Sequence, residues 1–213
     1  MEDIVIALQH ISKTFASVKA LNDVGFSICA GEVHALMGEN GAGKSTLIKV
    51  LTGVYEPDTG AEIQVGAERF TQLTPLEAVK KGIAVTYQDF SLFPNLTVAE
   101  NISISSEVEK NTGILSWRRM RDNAREVMEK MKIDIDPDAQ LGALSAAKQQ
   151  LVAIARALVH DAKLLILDEP TSALSANEVD KLFGIIDQLR KQGLAILFVS
   201  RKIGEVFRIS DRI

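Results

Sequence analysis

Residues Gly38-Glu39-Asn40-Gly41-Ala42-Gly43-Lys44-Ser45-Thr46 follow the pattern G-x-x-x-x-G-K-[ST]. That spacing suits an anion carrying several phosphates. Glycines let the backbone curl until successive N–H groups face one anion. A helix starting behind the loop adds partial positive charge at its N-terminus. Lys44 brings a full positive charge toward the outer phosphates, and Ser45 offers a hydroxyl to Mg²⁺, a hard cation that prefers oxygen. A Gly-rich turn before an ordinary helix leaves a lysine and two hydroxyl residues at the helix mouth unexplained. The pattern therefore predicts nucleotide phosphate binding.

A second cluster lies far along the chain. Leu164-Leu165-Ile166-Leu167-Asp168-Glu169 is an apolar run closed by two acids. In a parallel sheet, ligands gather at the carboxyl ends of strands. Asp168 is then placed to hold Mg²⁺ with Ser45, through water. Glu169 points elsewhere and suits the orientation or deprotonation of an attacking water. Phosphoryl transfer asks a protein mainly to position groups and neutralise charge, and these residue types can do both.

The elements that must position these groups alternate between strand and helix, which predicts a mostly parallel sheet covered by helices. Val33 to Met37 reads as a buried strand before the glycine loop. Leu47, Val50, Leu51 and Val54 then fall on one face of a helix. Thr74-Pro75-Leu76-Glu77 reads as a helix start with a capping box, Gly82 as its end, and Ile83 to Tyr87 as a strand. Residues 92–144 read as a helical insert. Within it Thr97-Val98-Ala99-Glu100 is another capping box, and Met120, Ala124, Val127, Met128 and Met131 form an apolar stripe on a helix beginning near Trp117. The stripe reads as packing rather than a ligand site. Leu164 to Leu167 and Leu194 to Val199 read as buried strands. Between them Ser175-Ala176-Asn177-Glu178 caps a helix whose apolar face carries Val179, Leu182, Phe183 and Ile186.

Composition sets the outer limits. The chain has 213 residues, enough for one α/β domain with a core, and 46% of them are hydrophobic. No run approaches the roughly 18 apolar residues that span a bilayer. Met1-Glu2-Asp3 lacks the basic start of a secretory signal, so a cytoplasmic location is expected. The net charge of −4 argues against nucleic acid as a partner. The single cysteine, Cys29, excludes an internal disulfide and reads as a small core residue. His10, His34 and His160 have no metal-ligand spacing.

Together these motifs, in this order, resemble the ATP-binding cassette (ABC) ATPase family over essentially the whole chain. Gln88 matches the family's glutamine loop, which senses Mg²⁺ and water and touches a membrane subunit. Leu144-Ser145-Ala146-Ala147-Lys148-Gln149-Gln150 matches the signature usually written LSGGQ. Thr171-Ser172-Ala173-Leu174-Ser175 matches the D-loop, and Phe15 aligns with an aromatic residue that stacks on adenine. The wording of Gly38 to Thr46, of Tyr87-Gln88-Asp89 and of Pro94 to Asn101 is similar to ATPases of carbohydrate importers for ribose, galactose or related solutes.

The resemblance implies a P-loop NTPase core with a mostly parallel sheet, an antiparallel β region on the N-terminal side and a helical insert. Residues 1–91 and 145–213 would form the nucleotide-binding core, and 92–144 the helical subdomain. It also implies a chain that continues past Ile213 in a longer protein, most of whose first half is in hand. ATP and Mg²⁺ would be the cofactors. A second ABC ATPase domain, fused or identical, would supply its signature to the ATP held by Gly38 to Thr46, while Ser145, Ala146 and Ala147 would grip the γ-phosphate held by that partner. Transmembrane permease subunits and an external solute-binding protein would complete an importer, with this chain on the cytoplasmic side of the membrane. The alternative is a nucleotide-dependent dimerisation or regulatory module with little hydrolysis. A soluble ABC ATPase acting on DNA or ribosomes fits the acidic charge poorly.

Three positions depart from the family pattern. Arg201 stands where the family carries histidine, in Val199-Ser200-Arg201-Lys202. A neutral imidazole both donates and accepts, whereas a guanidinium only donates. Two readings stay open for Arg201: it stabilises γ-phosphate charge, or it turns away and pairs with a surface acid. Ala146, Ala147 and Lys148 replace two glycines and a glutamine, adding methyl groups where phosphate would approach. Ser175 stands where many members have aspartate. The first two departures predict intact ATP binding with slowed turnover.

Overall fold

The computed structural model describes residues 3–88, 91–109 and 115–213. Met1, Glu2, Asp89 and residues 110–114, which entered the readings above, lie outside them. The chain packs as two compact units. The first comprises Met1–Val85, Ala162–Glu169 and Arg190–Ile213, and the second Thr86–Asp161 and Pro170–Leu189.

The first unit holds two four-stranded sheets. One is antiparallel, in the order β2-β1-β4-β5, built from β1 (Ile4–Phe15), β2 (Val18–Cys29), β4 (Glu62–Val65) and β5 (Glu68–Phe70). Its inward positions Ile6, Leu8, Ile11, Ile28 and Ile63 are buried. The pairing of β1 with β2 shifts register between Leu8 and Ile11, where His10 has φ 54° and Asp23 φ 52°. Such bulges break strict alternation. Cys29, at the end of β2, is half-buried rather than enclosed in the core.

The other sheet runs β3-β8-β7-β6, from β3 (Val33–Met37), β6 (Ile83–Thr86), β7 (Leu164–Asp168) and β8 (Ala195–Ser200). β8 pairs in parallel with β3 on one side and β7 on the other. Leu164 to Leu167 and Ala195 to Val199 are each 0% exposed, as expected of strands covered on both faces. The apolar runs read as strands are thus strands, displaced at their ends by a residue.

Between the sheets' strands run α1 (Lys44–Leu51) and α2 (Pro75–Lys80), and α7 (Ile203–Ile209) packs on β3 and β8. The capping box of α2 forms as read: Thr74 Oγ1 accepts from the Glu77 N–H, and Glu77 accepts from the Thr74 N–H at 2.8 Å. Helix α1 stops one turn short of the sequence reading, and Val54 is 51% exposed outside it. The cause is Gly53, at φ 73°, where a Cβ would lie 2.4 Å from the Thr74 carbonyl carbon. A left-handed residue in such close quarters ends a helix.

The second unit is helical: α3 (Val98–Glu109), α4 (Trp117–Lys130), α5 (Ala146–Ala157) and most of α6 (Ala176–Lys191). Thr97 and Glu100 form the capping box of α3. The stripe of α4 packs inward, with Met120 at 1%, Ala124 at 0% and Met131 at 0% exposure. Ser175 donates both its N–H and its hydroxyl to the Glu178 carboxylate at the start of α6, whose Val179, Leu182, Phe183 and Ile186 are buried. Among the described residues no helix is long and apolar enough to cross a membrane.

Candidate functional site

The glycine loop connects β3 to α1 as the pattern requires. Gly43 is the N-cap of α1 in a left-handed conformation, φ 89°. A Cβ there would lie 2.5 Å from the Ala20 carbonyl oxygen, so only glycine fits. Gly41 also has a positive φ, 83°, but a Cβ would meet open space, so its role is conformational. Among the described residues no side chain caps α1, and no acid stands in its first turn. Its leading N–H groups and their partial positive charge thus face the loop.

Lys44 is 9% exposed. Its Nζ donates to the Gly38 carbonyl at 2.6 Å and the Glu39 carbonyl at 2.9 Å, which holds the ammonium over its own loop. Ser45, in the same first turn, is exposed. Asp168 ends β7 opposite Val199 of β8. Burial raises its carboxyl above the ordinary aspartate range, the adjacent Glu169 charge raises it further, and Lys44 opposes both. That Lys44 acts on Asp168 places the phosphate loop and the strand-end acid within one electrostatic site. An uncapped helix start with a lysine fits a polyphosphate. An exposed hydroxyl and one half-buried carboxylate fit Mg²⁺, which keeps several waters and takes few protein ligands.

The position of Asp168 has a cost visible in the pH dependence of stability. Its folded pKa lies above its unfolded value, so ionised Asp168 opposes folding above the raised value. The opposition fades as pH falls toward the unfolded value. Asp168→Asn is therefore expected to hold or raise Tm at pH 7.5, by at most about 3 °C. The gap to the parent chain should close toward pH 4. Thermal melts across that range test this, and a variant melting well below the parent at pH 7.5 contradicts it.

Glu169 sits at φ 47°, uncommon for a residue with a side chain, and its N–H donates to the Val199 carbonyl at 2.9 Å. Its carboxylate meets Arg201. Arg201 Nε lies 2.7 Å from Oε1, Nη2 donates to Oε2 at 2.8 Å, and Nη1 donates to Asn40 Oδ1 at 3.2 Å. Arg201 thus pairs with an acid, but one whose side chain is only 13% exposed rather than a surface acid. A groove of about 580 Å³ opens beside it, lined by Met37, Gly38, Glu39, Asn40, Arg201 and Ile203.

Phe15, at the end of β1, is 39% exposed. It meets Tyr55 edge-to-face at 5.1 Å, and Lys13 Nζ lies 5.3 Å from its ring centre. Its partner Tyr55 belongs to no motif, so nothing in the sequence singled it out.

The remaining site residues belong to the second unit. Gln88 follows β6 and is exposed. Ser145 is the N-cap of α5, its hydroxyl accepting from the Lys148 N–H at 3.4 Å. Ala146 and Ala147 occupy the first turn, so the signature opens a helix. The Gln149 amide donates to the Leu144 carbonyl at 3.0 Å and steadies the turn before it. Lys148 is exposed.

Comparison with known proteins bears on the family and the fold. The ribose import ATP-binding protein RbsA 1 of Burkholderia ambifaria is 45% identical over 212 residues, covering 98% of this chain and 41% of the relative. RbsA 1 of Rhizobium meliloti is 45% identical over 207 residues, covering 97% and 41%. The chain thus spans about two fifths of the length of the curated relatives it matches. Among solved structures, a nucleotide-free ATP-binding cassette from an ABC transporter superposes with TM-score 0.84 at 27% identity, covering 98% of this chain and 85% of that one. The dimeric MJ0796, a bacterial ABC transporter cassette, superposes with TM-score 0.81 at 28% identity, covering 98% and 93%. Residues 21–172 match the family model described as ABC transporter, and with the cassette fold around them they establish that the chain belongs to that family.

Proposed function

We propose that the chain binds and hydrolyses ATP to power import of a small sugar or related solute through a membrane transporter. The observation that carries the reading is the phosphate loop at the uncapped start of α1, with Lys44 held over it by the Gly38 and Glu39 carbonyls. Similarity to ribose import ATP-binding proteins points to the solute class.

The residues divide the work by their chemistry. The loop from Gly38 to Thr46 offers backbone N–H groups to phosphate oxygens, and Lys44 neutralises charge on the outer phosphates. Ser45 and Asp168 would hold Mg²⁺, which would draw charge off the phosphates when bound; the family resemblance adds Gln88 to that set. Glu169 orients the attacking water and accepts its proton. Phe15 gives adenine an apolar face. Ser145, Ala146 and Ala147 present the start of α5 to the ATP of a second ABC ATPase domain. Permease subunits and a solute-binding protein complete the assembly, with the chain at the cytoplasmic side of the membrane.

ATP binding and hydrolysis, measured for the chain alone and with its partner ATPase domain, test the reading. Mg·ATP binding by the chain and turnover only in the pair are expected. Failure to bind ATP refutes the reading. Binding without turnover in either form replaces it with the alternative, a nucleotide-dependent dimerisation or regulatory module.

A further inference from the structure

Three features set the Arg201 contact apart from an ordinary surface ion pair. One guanidinium engages both oxygens of Glu169, at 2.7 and 2.8 Å, in the two-pronged arrangement that gives the strongest carboxylate contacts. Its third nitrogen reaches Asn40, so the acid is tied to the phosphate loop as well. The two partners also differ in freedom. Glu169 is pinned by its backbone bond to Val199 and its left-handed conformation, whereas Arg201 is 46% exposed at the end of β8 beside an open groove.

A base must present a free lone pair to the proton it takes. With both oxygens accepting from a cation that has no acceptor of its own, Glu169 is poorly placed to receive a water proton, and Arg201 cannot pass one on. We propose that Arg201 is a latch: a positioning residue that holds Glu169 out of water activation until the guanidinium swings aside into the groove. The latch rests on the proposed ATPase function and adds a restraint to it. Arg201 then acts on the acid and not on the phosphates, so removing it speeds turnover without weakening ATP binding.

The test uses Arg201→Gln, Arg201→His and Arg201→Lys, each assayed for ATP affinity in the chain and for turnover with the partner domain. The expected result for Arg201→Gln and Arg201→His is a rise in kcat of about tenfold, the equivalent of one lost charge-assisted contact. ATP affinity should stay within about twofold, since no phosphate contact is lost. Arg201→Lys, which keeps charge without the fork, should fall between. Melting without nucleotide supplies an independent readout: Arg201→Gln lowers Tm in the parent chain but not in a Glu169→Gln background. An unchanged kcat overturns the latch. So does a fall in kcat accompanied by weaker ATP binding, which makes Arg201 a phosphate ligand instead. Loss of ATP binding in every form, parent included, overturns the proposed function and the latch together.

Discussion

Lys44→Ala is expected to weaken ATP binding about a hundredfold or more while leaving the fold intact. The ammonium is nearly buried, at 9% exposure, and stands at the start of α1 where the helix contributes partial positive charge but no full one. A buried charge contact is worth roughly 3 kcal/mol when one partner is truncated, and that is about two orders of magnitude in Kd. Stability should change little by comparison. The carbonyls of Gly38 and Glu39 lose a donor, but they belong to a loop whose residues 39–42 are largely exposed, so water can replace it. Titration of the chain with ATP, with a melt on the same sample, separates the two effects. Retained affinity would show that the loop backbone alone holds the phosphates, and would remove Lys44 from the site.

The loop was legible in the sequence because its requirements are local. The conformations at Gly41 and Gly43, the helix start and the lysine all follow from a few consecutive residues. The capping boxes at Thr74 and Thr97 and the helix start at Ser175 were legible for the same reason, each closing within three residues. The buried strands β7 and β8 announced themselves as unbroken apolar runs. What the sequence hid depends on which segments become neighbours. The long hairpin of β1 and β2 was expected only through family resemblance, because its bulges at His10 and Asp23 blur the alternation that marks a strand. Val54 kept a helical spacing but lost the helix to Gly53, whose constraint comes from Thr74, across a loop and two strands. Arg201 was recognisable as a departure, yet its partner was not. Glu169 lies 32 residues away, and the two meet only because β7 and β8 pair in parallel with Asp168 opposite Val199.

That pairing shapes the second large effect. Glu169→Gln is expected to lower turnover about a hundredfold or more in the assembled pair while ATP still binds, because an amide keeps the shape of the side chain but cannot accept a proton from water. General-base catalysis is typically worth 10²–10⁴ in rate, and the phosphate loop, which sets affinity, is untouched. The size of the loss depends on Arg201. In the parent chain the guanidinium already occupies both carboxylate oxygens, so Glu169→Gln removes a base that is only partly available. In an Arg201→Gln background the base is free, and the same substitution should cost about tenfold more, the factor by which releasing the latch raises kcat. Single-turnover and steady-state rates of the four combinations measure this coupling. Equal losses in both backgrounds would mean that the ion pair leaves the acid's reactivity unchanged. No loss in either would mean that another group activates the water, and the unusual backbone at Glu169 would then need a structural explanation.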